Sequence, residues 1–268
     1  MREVKLGKSN PIIKDLKKKI RNNSDKNYFI IDDLSIIEIV KNKPNKIEQL
    51  FYCEELITKA ETKETLNVIK ERCDKVYSIS KDTFISLSSK NNSAGILITM
   101  SHIEISKNSF KIDNYKRILI TDKIEIPGNL GTIYRTADAT GFDLIINVDS
   151  ITSINHPKCI HSSRGTIFTV PTFSCSYKFV QKLLLENEML PILGEPNEGE
   201  SCFDFKFPSK LAIVVGNERY GINNMWYENP HQKIYIPMHG IMKSLNVGVA
   251  TSILMYQVAK KDFKIKKD

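Results

Sequence analysis

The chain has 268 residues, 41 % hydrophobic and 26 % charged, which is enough apolar material for one large domain or two ordinary ones. Its 39 basic and 31 acidic side chains leave a formal net charge of +8, which favours a polyanionic partner such as nucleic acid. The five cysteines, Cys53, Cys73, Cys159, Cys175 and Cys202, are odd in number and never form a C-x-x-C pair, which argues against a disulfide framework or a zinc site and for a reducing cytoplasm. MREVKLGKSNPIIKDLKKK at the amino end has no apolar signal core, and no stretch nears the ~20 apolar residues of a membrane span, so neither secretion nor membrane spanning is expected.

In chain order, the patterns predict a basic helix over 10–22, a strand at 28–32, a helix at 33–42, a strand at 46–53 and a helix at 61–73. A strand near Val76–Ile79, a helix opening at Ser80 and a strand at 95–100 complete a small α/β unit. HIEISKNSFKIDNYK at 102–116 is polar with weak periodicity and reads as a linker, which divides the chain into domains over 1–108 and 114–268. Beyond it, apolar runs at 117–121, 143–148, 189–193, 211–216 and 233–237 alternate with helical patterns, the signature of a parallel sheet with crossover helices. A final helix is expected over 245–261, followed by a lysine-rich tail. Residues 1–113 hold 21 basic and 16 acidic side chains and the remainder 18 and 15, so neither half owns the charge.

Three stretches of the second half carry the chemistry: 127-PGNLGTIYRTADATGF-142, 211-LAIVVGNERYG-221 and 236-IPMHGIMKSLNVGVATS-252. Each sets Gly, Asn or Ser at a strand end or helix start, with one ionic residue in the first two, Arg135 and Glu218. Asn129 suits a helix cap there. Taken alone, Arg135 reads as a surface cation pairing Asp138 at i+3, and Glu218 as the acid at the amino end of a helix starting near Gly221. Three strand ends with this chemistry point instead to a nucleotide-type ligand held at the carboxyl edge of an α/β sheet. No G-x-G-x-x-G, P-loop, H-E-x-x-H or G-x-S-x-G is present, so dinucleotide, nucleoside-triphosphate, zinc-protease and serine-hydrolase readings find no support, and no metal is expected.

The combination N-x-x-x-x-x-R, G-N-E and S-L-N-V, in this order over roughly 117–260, resembles the SpoU–TrmH (SPOUT) branch of RNA ribose 2′-O-methyltransferases. VDSITSINHPKCIHSSRGTIFTVP at 148–171 is similar to the thiostrepton- and nosiheptide-resistance type, which methylates 23S ribosomal RNA. The resemblance implies an α/β fold: a parallel-sheet methyltransferase domain ending in a trefoil knot, and a smaller amino-terminal RNA-binding α/β domain like small ribosomal proteins. It assigns Asn129 and Arg135 to the reacting ribose and phosphate, and Glu218, Ser244 and Asn246 to holding the active site. S-adenosylmethionine is implied as cofactor, bent against the backbone of Leu193, Gly216, Asn217, Ile236, Met238 and Leu245, with Glu218 and Asn246 beside it. Arg164 looks like a side chain that reaches the substrate, and a cytoplasmic homodimer with sites completed across the interface is implied.

A ribose hydroxyl is a poor nucleophile, so such a site must stabilise the developing alkoxide or remove its proton. Arg135 suits the first task, since a guanidinium keeps its charge in proteins. For RNA capture, the helix at 10–22 offers Lys14, Lys17, Lys18, Lys19 and Arg21, either as phosphate contacts or simply as a solvated face. Tyr28, Phe29, Phe51 and Phe84 fit core patterns better than base-stacking positions. The resemblance favours an adenosine of 23S ribosomal RNA in the thiopeptide-binding region, with antibiotic resistance as the result. A transfer RNA methyltransferase is the alternative, and a non-catalytic assembly protein bound to ribosomal RNA the alternative of another class.

Overall fold

The apolar runs form strands that gather into two separate sheets. A computed structural model describes residues 3–22, 28–88, 94–101, 104–107 and 109–263, in two compact units, 1–103 and 104–268. The first contains β1 (Val4–Leu6), α1 (Pro11–Asn22), β2 (Tyr28–Ile31), α2 (Leu34–Val40), β3 (Ile47–Tyr52), α3 (Ala60–Arg72), β4 (Cys73–Ile79), α4 (Lys81–Ile85) and β5 (Ile96–Ser101). The sheet order is β1-β4-β3-β5-β2, parallel from β1 to β3 and antiparallel at β5 and β2. Local chemistry sets the helix starts: Asp33 Oδ1 accepts from Ser35 N at 3.0 Å, and Ser80 Oγ accepts from Thr83 N at 3.4 Å. Phe29, Phe51 and Phe84 are fully buried, so three of the four aromatic candidates are core; the side chain of the fourth, Tyr28, lies outside the described residues.

The second unit contains β6 (Arg117–Asp122), α5 (Pro127–Thr140), β7 (Leu144–Val148), α6 (Pro157–Ser163), β8 (Thr172–Cys175), α7 (Tyr177–Glu186), β9 (Pro191–Glu195), β10 (Glu200–Ser201), β11 (Leu211–Val215), β12 (Gln232–Tyr235) and α8 (Val247–Ala259). Seven strands in the order β10-β12-β9-β11-β6-β7-β8 pair in parallel throughout, as the alternating pattern predicts. All five residues of β7 and of β11 are buried, the mark of strands covered on both faces. One face packs Ile118, Ile120, Ile146 and Phe173 against Tyr177, Val180 and Leu184 of α7. The opposite face carries α5, whose Tyr134 bonds to Asn147 of β7 and Thr172 of β8.

Helix α6 lies very close to α5. A Cβ on Gly131 would sit 2.5 Å from the Cys159 carbonyl oxygen and 2.6 Å from Ser162 Cβ, so only glycine admits this approach.

Three strands, β1, β8 and β10, have no counterpart in the sequence reading. They have two to four residues each, below the length at which alternation stands out. The expected linker at 102–116 also needs correcting. Ile105 N donates to Thr172 O at 2.8 Å beside β8, Phe110 stacks on Phe173 with centroids 4.1 Å apart, and Ile112 is buried. Its described part therefore belongs to the second unit. Of the lysine-rich tail at 260–267, the last four residues lie outside the described ones.

Candidate active site

Strands β12, β9 and β11 are neighbours and parallel, so their carboxyl ends share one edge of the sheet, the edge where open α/β sheets hold ligands. Leu193 lies in β9, Gly216 and Asn217 directly follow β11, and Ile236 and Met238 follow β12. Five of the positions expected to hold the cofactor, drawn from separate stretches, thus share one edge, and Leu245 stands two residues ahead of α8.

The chain folds back tightly after β11. Asn217 N donates to Gly221 O at 2.9 Å, and Gly221 N returns a bond to Asn217 O at 3.0 Å. A Cβ on Gly216 would meet the Gly221 carbonyl carbon at 2.2 Å, which restricts that position to glycine. The Asn217 side chain holds the turn: Oδ1 accepts from Arg219 N (2.9 Å) and Tyr220 N (3.0 Å), while Nδ2 donates to Lys123 O at 2.7 Å.

That turn aims Glu218 at the amino end of α5. Its Oε2 accepts from Glu125 N at 3.0 Å, and its Oε1 from Ile126 N at 3.0 Å and Asn129 Nδ2 at 2.9 Å. The bland reading of Glu218 therefore needs correcting: no helix starts near Gly221, and a short 3₁₀ turn at Asn224–Tyr227 follows instead. Asn129 is likewise not a cap. The N-cap of α5 is Ile126, and Asn129 sits inside the first turn. Its Oδ1 accepts from Asn246 Nδ2 at 3.0 Å. Asn246 does cap its helix, as the sequence allowed, with Oδ1 accepting from Gly248 N (2.9 Å) and Val249 N (3.3 Å) at the start of α8. A continuous path, Glu218–Asn129–Asn246, joins the β11 turn to two helix starts. Burial pushes the Glu218 carboxyl up, but the hydrogen bonds from Glu125, Asn129 and Ile126 outweigh it and hold it below its ordinary range.

Arg135 is exposed on α5 and makes no hydrogen bond or ion pair among the described residues. Asp138, the partner expected at i+3, accepts the Thr169 hydroxyl instead. Arg164 is exposed at the end of α6 in the left-handed region, φ 53°, and its guanidinium also has no partner among the described residues. Ser244 is exposed and makes no side-chain hydrogen bond among them. In the first unit, Lys14, Lys18 and Arg21 are exposed and Lys17 half-buried on α1, while Lys19 pairs with Asp15 at 3.1 Å. The structure thus joins Asn129, Asn217, Glu218 and Asn246, and leaves the arginines open to solvent.

Two features escape the sequence reading. Asp122, at the carboxyl end of β6 and 2 % exposed, accepts from Asn223 N at 2.8 Å and Trp226 Nε1 at 3.1 Å. Burial raises its carboxyl pKa despite these donors. The single tryptophan was the one available signal. The second is the polar chain Thr121, Asn147, Tyr134 and Thr172, buried in the sheet under α5. Among the described residues, no group of three or more His, Cys, Asp or Glu could hold a metal ion, and no helix is long and apolar enough to cross a membrane.

A parallel α/β sheet with Asn129, Asn217, Glu218 and Asn246 gathered at its carboxyl edge has the architecture of the ligand-binding α/β enzymes. The SpoU rRNA methylase family matches residues 116–256, and the chain belongs to that family. It is 26 % identical over 262 residues to the 23S rRNA (guanosine(2553)-2′-O)-methyltransferase RlmP of Bacillus subtilis (strain 168), covering 96 % of this chain and 99 % of that protein. A 23S rRNA (uridine(2479)-2′-O)-methyltransferase of Streptomyces viridochromogenes is 28 % identical over 148 residues, 53 % of this chain and 52 % of that one. The AdoMet-bound rRNA methyltransferase from Sinorhizobium meliloti superposes with a TM-score of 0.85 at 19 % identity over 98 % of this chain and 99 % of that one. The SpoU methyltransferase AviRb of Streptomyces viridochromogenes, in complex with AdoMet, gives 0.82 at 19 % identity over 95 % and 99 %. These two likenesses show the fold.

Glu218→Gln keeps the shape but replaces one acceptor oxygen with an NH2 that faces N–H donors, and hydrogen bonds to a charged group are worth about 1.5–3 kcal/mol each. Urea unfolding at neutral pH is expected to show a loss of that order. Because the folded carboxyl lies below its ordinary range, its contribution is complete above the ordinary carboxylate pKa and lost as pH falls through the folded value. The gap between wild type and variant should therefore close in acid; a constant gap down to low pH would contradict this account.

Proposed function

We propose that this SpoU-family enzyme methylates a ribose 2′-hydroxyl of 23S ribosomal RNA, with S-adenosylmethionine as the methyl donor. The observation that carries the reading is the Glu218–Asn129–Asn246 path, which sets neutral amides at the carboxyl edge, on the helix that bears an unpaired Arg135. The residues present fit the cofactor. Residues 238–245 make no backbone hydrogen bond among the described residues, so their N–H and C=O groups are free for an adenosine and an amino acid. Ile236 and Met238 are half-exposed and Leu245 is 39 % exposed, which supplies apolar contact for the base.

S-adenosylmethionine supplies a methyl group on a positively charged sulfur. The chain would have to orient the ribose and favour negative charge on O2′ as that oxygen takes the methyl group, the thioether leaves and the hydroxyl proton passes to solvent water. Arg135 would act as the electrostatic stabiliser of O2′ or of the adjoining phosphate, since its charge is not neutralised by Asp138. Asn129 is held from both sides, by Glu218 and Asn246, and would keep the ribose in line. Arg164 and Ser244 are open to a substrate and would contact it from α6 and the segment before α8. The trefoil path implied for residues 236–259 belongs to this same proposal.

The nearly full-length match to a guanosine-specific 23S enzyme favours guanosine over the adenosine expected from 148–171. That segment keeps the adenosine target, with thiopeptide resistance, as the second reading. A 23S substrate would place the enzyme in the cytoplasm. Methylation of transfer RNA and a non-catalytic role in assembly are outcomes the assay below separates.

Capture of the RNA falls to the amino-terminal domain, expected over 1–108 from the sequence and compact over 1–103 in the structure. On α1, Lys14, Lys17, Lys18 and Arg21 share one face at i, i+3, i+4 and i+7, and the last three line a groove of about 470 Å³ with Ile20 and Ser86. Replacing the four cations with alanine should weaken RNA binding and flatten its salt dependence by roughly 0.7–0.9 in log–log slope for each phosphate no longer neutralised; an unchanged slope would return α1 to a solvated face. A homodimer across α8 and the start of α5 is supported by exposed apolar side chains at Ile126, Val249 and Tyr256. Light scattering should give twice the chain mass, and an active monomer would remove the shared site.

Purified protein with tritiated S-adenosylmethionine should label 23S ribosomal RNA fragments and not transfer RNA, at a single ribose that mapping identifies. Arg135→Ala should lower kcat by about 100-fold or more with cofactor affinity unchanged. A near-normal rate at saturating RNA would remove Arg135 from the chemistry, and labelling of transfer RNA alone would replace the substrate.

A further inference from the structure

Tyr134 precedes Arg135 on α5 and points the other way, into the sheet, where it is completely buried. Its hydroxyl is the midpoint of a polar chain that crosses three strands. Thr121 Oγ1 of β6 donates to Asn147 Oδ1 of β7 at 2.7 Å, and Asn147 Nδ2 donates to the Tyr134 hydroxyl at 3.0 Å. The Tyr134 hydroxyl lies 3.0 Å from Thr172 Oγ1 of β8, whose own proton goes to Val170 O at 3.3 Å. Since the Tyr134 oxygen accepts from Asn147, Thr172 Oγ1 is the acceptor left for the phenol proton among the described residues, and the chain then runs from β6 to Val170. All four side chains are at most 2 % exposed. Burial pushes the phenol far above its ordinary pKa, which keeps it a neutral donor.

Packing alone does not call for this chain, because phenylalanine and aliphatic side chains would fill the same space without polar groups to satisfy. The chain instead fixes α5 in rotation and slide. A hydrogen bond tolerates only a few tenths of an ångström and fixes a direction, which apolar packing, being non-directional, does not specify. The far end, Val170, closes the segment that leads from Arg164 into β8, and Thr169 in that segment holds the Asp138 carboxylate. One polar chain therefore references α5 to the sheet and to the connection that follows Arg164.

We propose that Tyr134 is a positioning residue for methyl transfer: through its buried hydroxyl it fixes the rotation of α5 and with it the direction in which Arg135 meets the substrate. The proposal rests on the catalytic reading of Arg135 given above. Tyr134→Phe retains the ring and removes only the hydroxyl. It is expected to lower kcat on saturating RNA by about tenfold or more while the KM for S-adenosylmethionine stays within twofold, rates being taken per folded enzyme from circular dichroism at the assay temperature.

The deciding measurement is the cycle with Arg135→Ala, whose residual rate is followed by tritium transfer. If Tyr134 acts through Arg135, adding Tyr134→Phe to that background should change the rate by less than twofold. A purely structural role would leave the same factor in both backgrounds and would overturn the proposal, as would a Tyr134→Phe enzyme at the wild-type rate. Should Tyr134→Phe fold poorly, Thr172→Val removes the acceptor at nearly constant shape and carries the same expectations. The two levels fail separately: a wild-type rate in Arg135→Ala sinks the catalytic reading and this inference together, whereas a slow Arg135→Ala with an additive Tyr134→Phe sinks only the inference.

Discussion

Glu218 accepts three hydrogen bonds at the amino end of α5, two from backbone amides and one from Asn129. An α-helix exposes unpaired N–H groups and a partial positive charge at its start, and α5 begins with Ile126 and Pro127, neither of which carries a capping side chain. The missing negative group arrives from the turn after β11. Each of those bonds is to a charged acceptor, worth about 1.5–3 kcal/mol, so together they outweigh the cost of half-burying the carboxylate. The arrangement extends one step further, because the Asn129 amide that donates to Glu218 leaves its oxygen for Asn246, which in turn starts α8. Strand turn, first helix and last helix are thus set by a single anion.

Such an anion must be placed accurately, and the backbone around it is correspondingly constrained. Gly216 lies against the returning chain with no room for a Cβ, and Asn217 uses its side-chain oxygen and amide nitrogen to hold the turn. Lys123 and Asp149, the residues directly after β6 and β7, sit at φ 54° and 43°, a region that costs a non-glycine residue roughly 1 kcal/mol or more. Strain of this kind persists only where neighbours over-determine it. Lys123 donates to Val148 O and accepts from Asn217, and Asp149 donates to Cys175 O, so in both cases the backbone of the next strand or turn dictates the conformation. The chain directly after β6, β7 and β11 is therefore held by contacts within the protein itself.

The sequence made the long buried strands legible because a run such as LAIVV has one reading when it is flanked by turn residues and is too short for a helix. It hid β8 and β10 because two to four residues of mixed character carry no period. The site was legible as chemistry but not as contacts. For Glu218 the physical argument was right and the helix was wrong: a carboxylate does serve a helix amino end, yet that helix begins 92 residues earlier, which no local pattern can show. Asn129 was mistaken for a cap for the same reason, since its cap position is filled by Ile126 and its amide is claimed from both sides by residues distant in sequence. Asn246, by contrast, caps the helix directly after it, a local device. The Tyr134 chain was invisible: Thr121, Asn147 and Thr172 look like ordinary strand residues until register brings them under one phenol.

The charge arrangement follows from these same bonds. The role proposed for Arg135 needs a guanidinium that no carboxylate of the protein has claimed, and the acids of the motifs around it have other partners. Glu218 is committed to the amino end of α5, and Asp138, three residues on from Arg135, is committed to the Thr169 hydroxyl. Asn129 and Asn246, which complete the site, are neutral amides that can orient a ribose without competing for the positive charge. In the proposed reaction negative charge develops on a ribose oxygen beside a phosphate, where a cation not already paired with a carboxylate would favour it. Neither acid pairs with Arg135, so in the proposed reaction its guanidinium stays available to an anionic substrate.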